Sequence, residues 1–308
     1  MGLVNPEGRP LRAIATGQRE NFSRRQANAD GVTNAMLRSR TQSGHLDQVG
    51  VRTFASSYRK ATPLGDLHAL LMDIGDPVWA CGPTAAALHG FDGYPLEAPF
   101  HLVTLRDRNV RRIGHLVHSA ASLELIDRCI VQDLAATSPT RTIIDLARTD
   151  PNGAITAAID SAIRDLGTSE DFLHRRIAAL RSSGRFGIPR LLAIIEGCEA
   201  SRGGQSWLER RFLEMISEAG LPRPQTQVVM SKARNKLIRV DCWFPEQQVV
   251  VELLGYRWHR TELQMVRDVE RMNRLALEGV AVVQFTYSHV AGAPDYLLET
   301  LCDAGIEP

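Results

Sequence analysis

Cysteine is scarce in this chain, and none of it is arranged for pairing or for zinc. The five cysteines (Cys81, Cys129, Cys198, Cys242 and Cys302) are odd in number, widely spread and never in a CxxC spacing. That argues against a disulfide framework and a cysteine zinc centre, and predicts reduced thiols in a cytoplasm. Long apolar runs are missing too: no stretch approaches the ~20 residues of a membrane span. The amino terminus has no apolar core of a secretory signal, so no membrane partner is expected. Net charge is also small, at +1 over 308 residues, which excludes general polyanion stickiness. A chain of this length can bury a large core and predicts two or three domains.

The near-zero total hides an asymmetry. Residues 1–62 carry a net +6 and the remainder −5. A basic amino-terminal segment on a near-neutral protein points to a local nucleic-acid contact. Residues 1–17, rich in Gly, Pro and Arg, read as a disordered basic tail. Arg19–Ala29 reads as a short helix. Thr33 is placed to cap a second helix running to about Gln42, and Gly44 stops it. His45–Ser56 alternates weakly and reads as a hairpin around Gln48–Gly50. Helix, turn, helix and two-stranded wing is the order of a winged helix-turn-helix module over 18–62. Arg38 and Arg40 on its second helix can reach phosphates or base edges. A helical pair serving only as a protein-interaction module fits the same pattern.

Residues 63–200 read as a small α+β unit with a helical extension. Helices are expected at Leu64–Asp73 and Gly82–His89, and strands at Phe100–Leu105, Ile113–Ser119 and Ile126–Asp133. Further helices follow from Ser138-Pro139, Asn152, Ser169 and Pro189. The loop 106–112, with four arginines, reads as a solvated turn. His115 and His118 are three apart on a strand, face opposite sides, and are structural.

The stretch Arg239–His259 carries the most specific pattern. Val249–Leu254 is apolar and largely β-branched except at Glu252, as in a buried strand. Lys236–Phe244 reads as the strand before it, with Pro245–Gln248 as a four-residue hairpin loop. That register sets Phe244 opposite Val249 and Asp241 opposite Glu252. Two opposed carboxylates on an apolar hairpin repel each other and are costly to desolvate. A hard divalent cation, Mg²⁺ or Mn²⁺, removes both penalties; so does pairing with an arginine such as Arg239 or Arg257, and the pattern leaves both open. Upstream, Ser206 and Glu209 form a capping-box pattern, yet Glu209 shares a helical face with Leu213 and Ile216 and points partly toward the hairpin. Downstream, Thr261–Leu277 reads as a helix whose Arg267, Arg271 and Arg274 form a solvated face, and Val280–Tyr287 as a buried strand.

Residues about 205–290 resemble the very-short-patch-repair-type endonuclease-like domain of the PD-(D/E)xK superfamily. The resemblance rests on Ser206, Glu209, Asp241, Glu252, Gly255, His259, Arg267-Asp268, Arg271, Asn273, Gly279 and Gln284-Phe285-Thr286. Residues about 20–150 resemble more loosely the amino-terminal part of AbiEi-like antitoxin regulators, through Ser23-Arg24-Arg25-Gln26, Gly44, Val51, His118-Ser119 and the run Ser138–Ala147. The first resemblance implies Asp241 and Glu252 as ligands of Mg²⁺ or Mn²⁺, Glu209 as an outer ligand, and His259 as a general acid or orienting group, with metal-activated water attacking a phosphodiester. The superfamily's third position falls on Leu254, which neither binds metal nor orients water. Arg257, His259, Lys232 or Lys236 would have to substitute. The second resemblance implies a DNA-binding regulator or antitoxin of a toxin–antitoxin or phage-defence system, with Arg24, Arg25, Arg38 and Arg40 on nucleic acid and a cognate toxin as a partner.

The expected architecture is therefore α+β multidomain: tail 1–17, winged helix-turn-helix-like module 18–62, α+β middle domain 63–200, and a restriction-endonuclease-like domain 201–308 with a mixed sheet. The expected function is a Mg²⁺-dependent DNA endonuclease guided by its basic module. The alternative is a catalytically impaired DNA-binding regulator that keeps the nuclease fold as a scaffold.

Overall fold

The computed structural model describes residues 15, 18–181, 187–202, 206–231, 238–254 and 262–308, with the side chains of 198–202, 231, 262–265, 267 and 268 left aside. The chain is α+β, with three sheets among the described residues. It divides into two compact units, Met1–Leu146 with Ala157–Arg164, and Ala147–Thr156 with Asp165–Pro308. Most of the helical stretch after 147 thus groups with the carboxy-terminal unit.

The first unit opens with β1 (Asn21–Ser23), α1 (Arg24–Ala29), α2 (Asn34–Gln42), β2 (Leu46–Gln48) and β3 (Thr53–Ser56). The three strands form an antiparallel sheet in the order β1-β3-β2. The helix expected from Arg19 begins only at Arg24, because Asn21–Ser23 pairs with Thr53–Ala55. Ser23 then caps α1 reciprocally with Gln26, which satisfies helix-start N–H groups. Thr33 caps α2 through the Met36 N–H, and Gly44 takes the left-handed φ of +74° that ends it. Phe22, Ala27, Val32, Leu37, Leu46 and Phe54 form the core beneath. Each large member contributes roughly 1.5–3 kcal/mol by leaving water.

The rest of this unit packs α3 (Pro63–Ile74), α4 (Gly82–His89) and α5 (Pro139–Leu146) with a five-stranded sheet. Its strands are β4 (Val78–Ala80), β5 (His101–Leu105), β6 (Leu116–Ala120), β7 (Arg128–Val131) and β8 (Leu134–Thr137), in the order β6-β5-β4-β8-β7 with mixed directions. The strand expected at Ile126–Asp133 is β7, and a further strand, β8, follows directly after it. Gln132 and Asp133 both take positive φ (49° and 62°) and turn the chain back, the conformation that a two-residue hairpin loop requires. His115 precedes β6, stacks on Phe100 and accepts the Phe100 N–H, so it is structural. His118 Nε2 lies 3.4 Å from His101 Nδ1.

Helix α6 (Asn152–Arg164) is shared by the division, its first residues grouping with the second unit and Ala157–Arg164 with the first; the second unit continues with α7 (Glu170–Leu180), α8 (Ile188–Arg202) and α9 (Trp207–Glu218). Strands β9 (Gln225–Ser231), β10 (Ile238–Phe244) and β11 (Val249–Leu254) form an antiparallel meander. Helix α10 (Glu262–Leu277) leads to β12 (Ala281–Thr286), which runs parallel to β11. Two helices, α11 (Tyr287–Gly292) and α12 (Pro294–Asp303), follow. Strand β9 was not anticipated from the sequence: Gln225, Thr226 and Gln227 break the apolar pattern of an edge strand. Val240, Trp243, Val250, Leu275 and Val280 build the core between the sheet and α10.

Candidate functional site

The hairpin forms with the expected loop. Phe244 faces Val249 and Cys242 faces Val251, leaving Pro245–Gln248 between the strands. The recorded ladder stops one pair short of Asp241 and Glu252. The next pair in that register is Asp241 with Glu252, and the Asp241 Oδ2 also accepts the Leu253 N–H at 2.9 Å. Glu252 is 3% exposed, and its Oε2 accepts from Arg271 Nη2 at 2.8 Å. Arg271 Nη1 donates to the Arg239 carbonyl at 3.0 Å. Arg271 is therefore half-buried against the hairpin rather than part of a solvated face.

Glu209 joins this group from α9. Ser206 caps that helix by accepting the Glu209 N–H at 3.2 Å, so the capping position fixes where the carboxylate starts. Its Oε1 accepts from Gln227 Nε2 at 2.9 Å. Gln227 has a left-handed backbone (φ 53°) on β9 and also hydrogen-bonds Asp241. Burial, and next the charge of Asp241, hold the Glu209 carboxyl above its ordinary range, against hydrogen bonds from Ser206 and Gln227 and the charge of Arg239. Burial likewise raises Asp241, opposed by the Leu253 N–H, Arg271 and Gln227. Burial, then the charges of Asp241, Glu209 and Glu252, push the Cys242 thiol up to about 12. Three carboxylates thus act on one buried point.

The chemistry of this donor set suits a hard cation, and each carboxylate is also engaged by the protein. Asp241, Glu252 and Glu209 each accept from a nitrogen donor of the protein. Among the described residues no group of three or more His, Cys, Asp or Glu side chains is arranged to hold a metal. Leu254, half-buried at the end of β11 beside Thr286, adds no ligand. His259, Gly255, Arg257, Lys232 and Lys236 lie outside the described residues. Gln227 and Arg271 are the site residues that sequence reasoning missed. Arg271 lies 19 positions from Glu252, a pairing that only α10 packing against β11 reveals.

The basic module presents a second surface. Arg24, Asn34, Arg38, Thr41, Gln42 and Gln48 line one recess, floored by Leu37 and Phe54. Asn34, Arg38 and Gln42 are spaced i, i+4 and i+8 and are all exposed, so they share one outward face of α2. Arg24 is packed over the Phe54 ring at 5.6 Å and donates to the Val51 carbonyl at 3.2 Å. Of the four anticipated arginines, Arg24 and Arg38 meet at the recess. Arg25 is exposed on α1, and half-buried Arg40 sits in the last turn of α2; neither lines it.

No family model matches the chain. It is similar to an uncharacterized protein of Mycobacterium tuberculosis, Rv2248 in strain H37Rv and MT2308 in strain CDC 1551. The identity is 26% over 266 residues, covering 86% of this chain and 94% of each relative. Among solved structures it is similar to the Rv2827c protein of M. tuberculosis, at 16% identity and a TM-score of 0.44, over 62% of this chain and 76% of that one. Neither likeness assigns a function.

Proposed function

We propose that this protein is a DNA-binding regulator of the AbiEi-like antitoxin type, and that its carboxy-terminal hairpin is a restriction-endonuclease-like scaffold. The observation that carries this reading is the exposed face Asn34–Arg38–Gln42 of α2, grouped with Arg24 and Gln48 around one recess. Amide and guanidinium groups are the side chains that read base edges bidentately. The element order and the β1-β3-β2 sheet suit a winged helix-turn-helix in which α2 enters the major groove. The loop after β2, with exposed Val51 and Arg52, then serves as the wing. A toxin–antitoxin or phage-defence setting, with a cognate toxin as partner, follows from the resemblance of this region.

The endonuclease reading is kept as a second one, because Glu209, Asp241 and Glu252 do come together. In that reading Mg²⁺ or Mn²⁺ would share Glu252 with Arg271, which holds its Oε2. The arginine and Leu254 together favour the scaffold.

Binding of the full chain to duplex DNA, followed by fluorescence anisotropy over a salt series, tests the first reading. Affinity is expected to fall steeply with salt. Arg38→Ala is expected to weaken binding by ~1–3 kcal/mol and to relax base preference. Salt-insensitive binding, or none, removes the proposal. Plasmid cleavage with Mg²⁺ or Mn²⁺ tests the second. Turnover by the wild type that is lost in both Asp241→Ala and Glu252→Ala would reinstate the nuclease.

A further inference from the structure

Asp73, near the end of α3, is 2% exposed and joins three segments of the first unit. Its Oδ1 accepts the Arg52 N–H at 2.6 Å and lies 3.5 Å from Thr53 Oγ1. Its Oδ2 accepts from Arg112 Nε at 3.0 Å. Arg112 Nη1 in turn donates to the Arg111 carbonyl at 2.9 Å. The fit is close on the side of the β2–β3 turn. A Cβ on Gly50 would stand 2.6 Å from the Asp73 carboxylate, so only glycine lets that turn approach.

The loop 106–112 is anchored a second time. Arg108 donates to the Ile74, Gly75 and Pro77 carbonyls, where the carbonyl end of α3 favours a cation. Two of the loop's four arginines therefore fasten it, while Arg106 and Arg111 are exposed. Asp107 is also exposed and is the one acid within the loop. A solvated turn does not need this fastening. Charge held in place loses little conformational freedom when a ligand binds it.

We infer that the DNA-binding surface extends beyond the amino-terminal module to loop 106–112. Arg52 and Arg111 contact backbone phosphates of one duplex, and buried Asp73 sets the turn and the loop in fixed relation. This rests on the DNA-binding reading above. The contacts are to phosphate, so they add affinity without sequence information. Each charge removed lowers the salt slope by about 1 and, at 0.15 M salt, affinity by about fivefold for every sequence alike.

The test is a salt titration of duplex binding by the full chain, for wild type, Arg38→Ala, Arg52→Ala and the double variant Arg106→Ala/Arg111→Ala. All four substitutions are of exposed side chains, and circular dichroism verifies that each variant is folded. A shallower salt slope in Arg52→Ala and in the double variant, with base preference unchanged, supports the extended surface. Slopes equal to wild type in both, with Arg38→Ala still weakened, overturn the extension and leave DNA binding by the module standing. Failure of the wild type to bind overturns both.

Discussion

Asp73 and Glu252 are two carboxylates closed off from solvent, each faced by an arginine, and they serve differently. Asp73 is surrounded by donors: a backbone N–H, a hydroxyl and the Arg112 guanidinium, from two other segments. Glu252 has Arg271 on one side, but it shares its neighbourhood with Asp241 and Glu209, and all three charges act on Cys242. A buried carboxylate ringed by N–H groups is a structural fastener. One that gathers further carboxylates around it carries like-charge repulsion, here offset by an arginine. Burial alone does not separate the two roles; the sign of the neighbouring charges does.

The largest expected effect breaks that comparison at Asp73. Asp73→Ala leaves Arg112 and the Arg52 N–H without their buried acceptor, and breaking such a set costs about 3–5 kcal/mol. Glu252→Gln is expected to cost only about 1 kcal/mol, because the amide oxygen can still accept from Arg271 and the change removes one of three neighbouring negative charges. Urea unfolding of both variants gives the order. Amide hydrogen exchange locates the Asp73 effect at Arg52 and Thr53. An Asp73 cost no larger than that of Glu252 contradicts the fastener role.

A third buried group extends the comparison to a neutral partner. His174 is 3% exposed and stacks on Trp207 at 3.8 Å. Its Nδ1 meets the Tyr287 hydroxyl at 2.9 Å. Its Nε2 is buried with no hydrogen-bond partner among the described residues. Burial, opposed by Asp171 and assisted by Arg210, lowers its pKa to about 3. The folded state therefore binds fewer protons than the unfolded one between about pH 6.5 and 3. Its contribution is fully present above 6.5 and is lost as the pH falls toward 3. That loss is on the order of 4 kcal/mol. His174→Phe keeps the stack and removes the titration, so its stability should fall less from pH 7 to pH 4 than that of wild type. Parallel pH profiles would show that His174 is not the acid-labile group.

Much of the fold was legible because it follows local rules. The Thr33 and Ser206 caps, the Gly44 stop and the Pro245–Gln248 loop are set by neighbours in sequence and form as expected. What was not legible depends on tertiary pairing. Asn21–Ser23 continues a helical pattern and becomes a strand because Thr53–Ala55 is there to receive it. Polar-rich Gln225–Ser231 becomes an edge strand beside β10. Arg271 and Arg108 look like surface charges in sequence, but packing turns one onto Glu252 and the other onto the α3 terminus. A long side chain reaches whatever acceptor the fold brings near it, and spacing along the chain does not encode that.

The smallest effect sharpens the contrast with Asp73 from the other side. Glu209 and Asp241 have raised carboxyl pKa values, chiefly through burial, and for Glu209 next through the charge of Asp241. For such groups the folded state binds more protons than the unfolded one. Stability therefore falls as the pH rises from the unfolded value of about 4 through the raised folded value. At neutral pH both charges disfavour folding, the reverse of a fastener. Asp241→Asn or Glu209→Gln should each raise the urea midpoint at pH 7 and lose that advantage in mild acid, where the wild-type carboxyls are protonated. Removing either charge already relieves the repulsion between them, so the double variant should gain less than the sum of the two. A midpoint lowered at pH 7 by either substitution would mean that Arg271 and Gln227 outweigh burial, making this cluster a fastener of the same kind as Asp73.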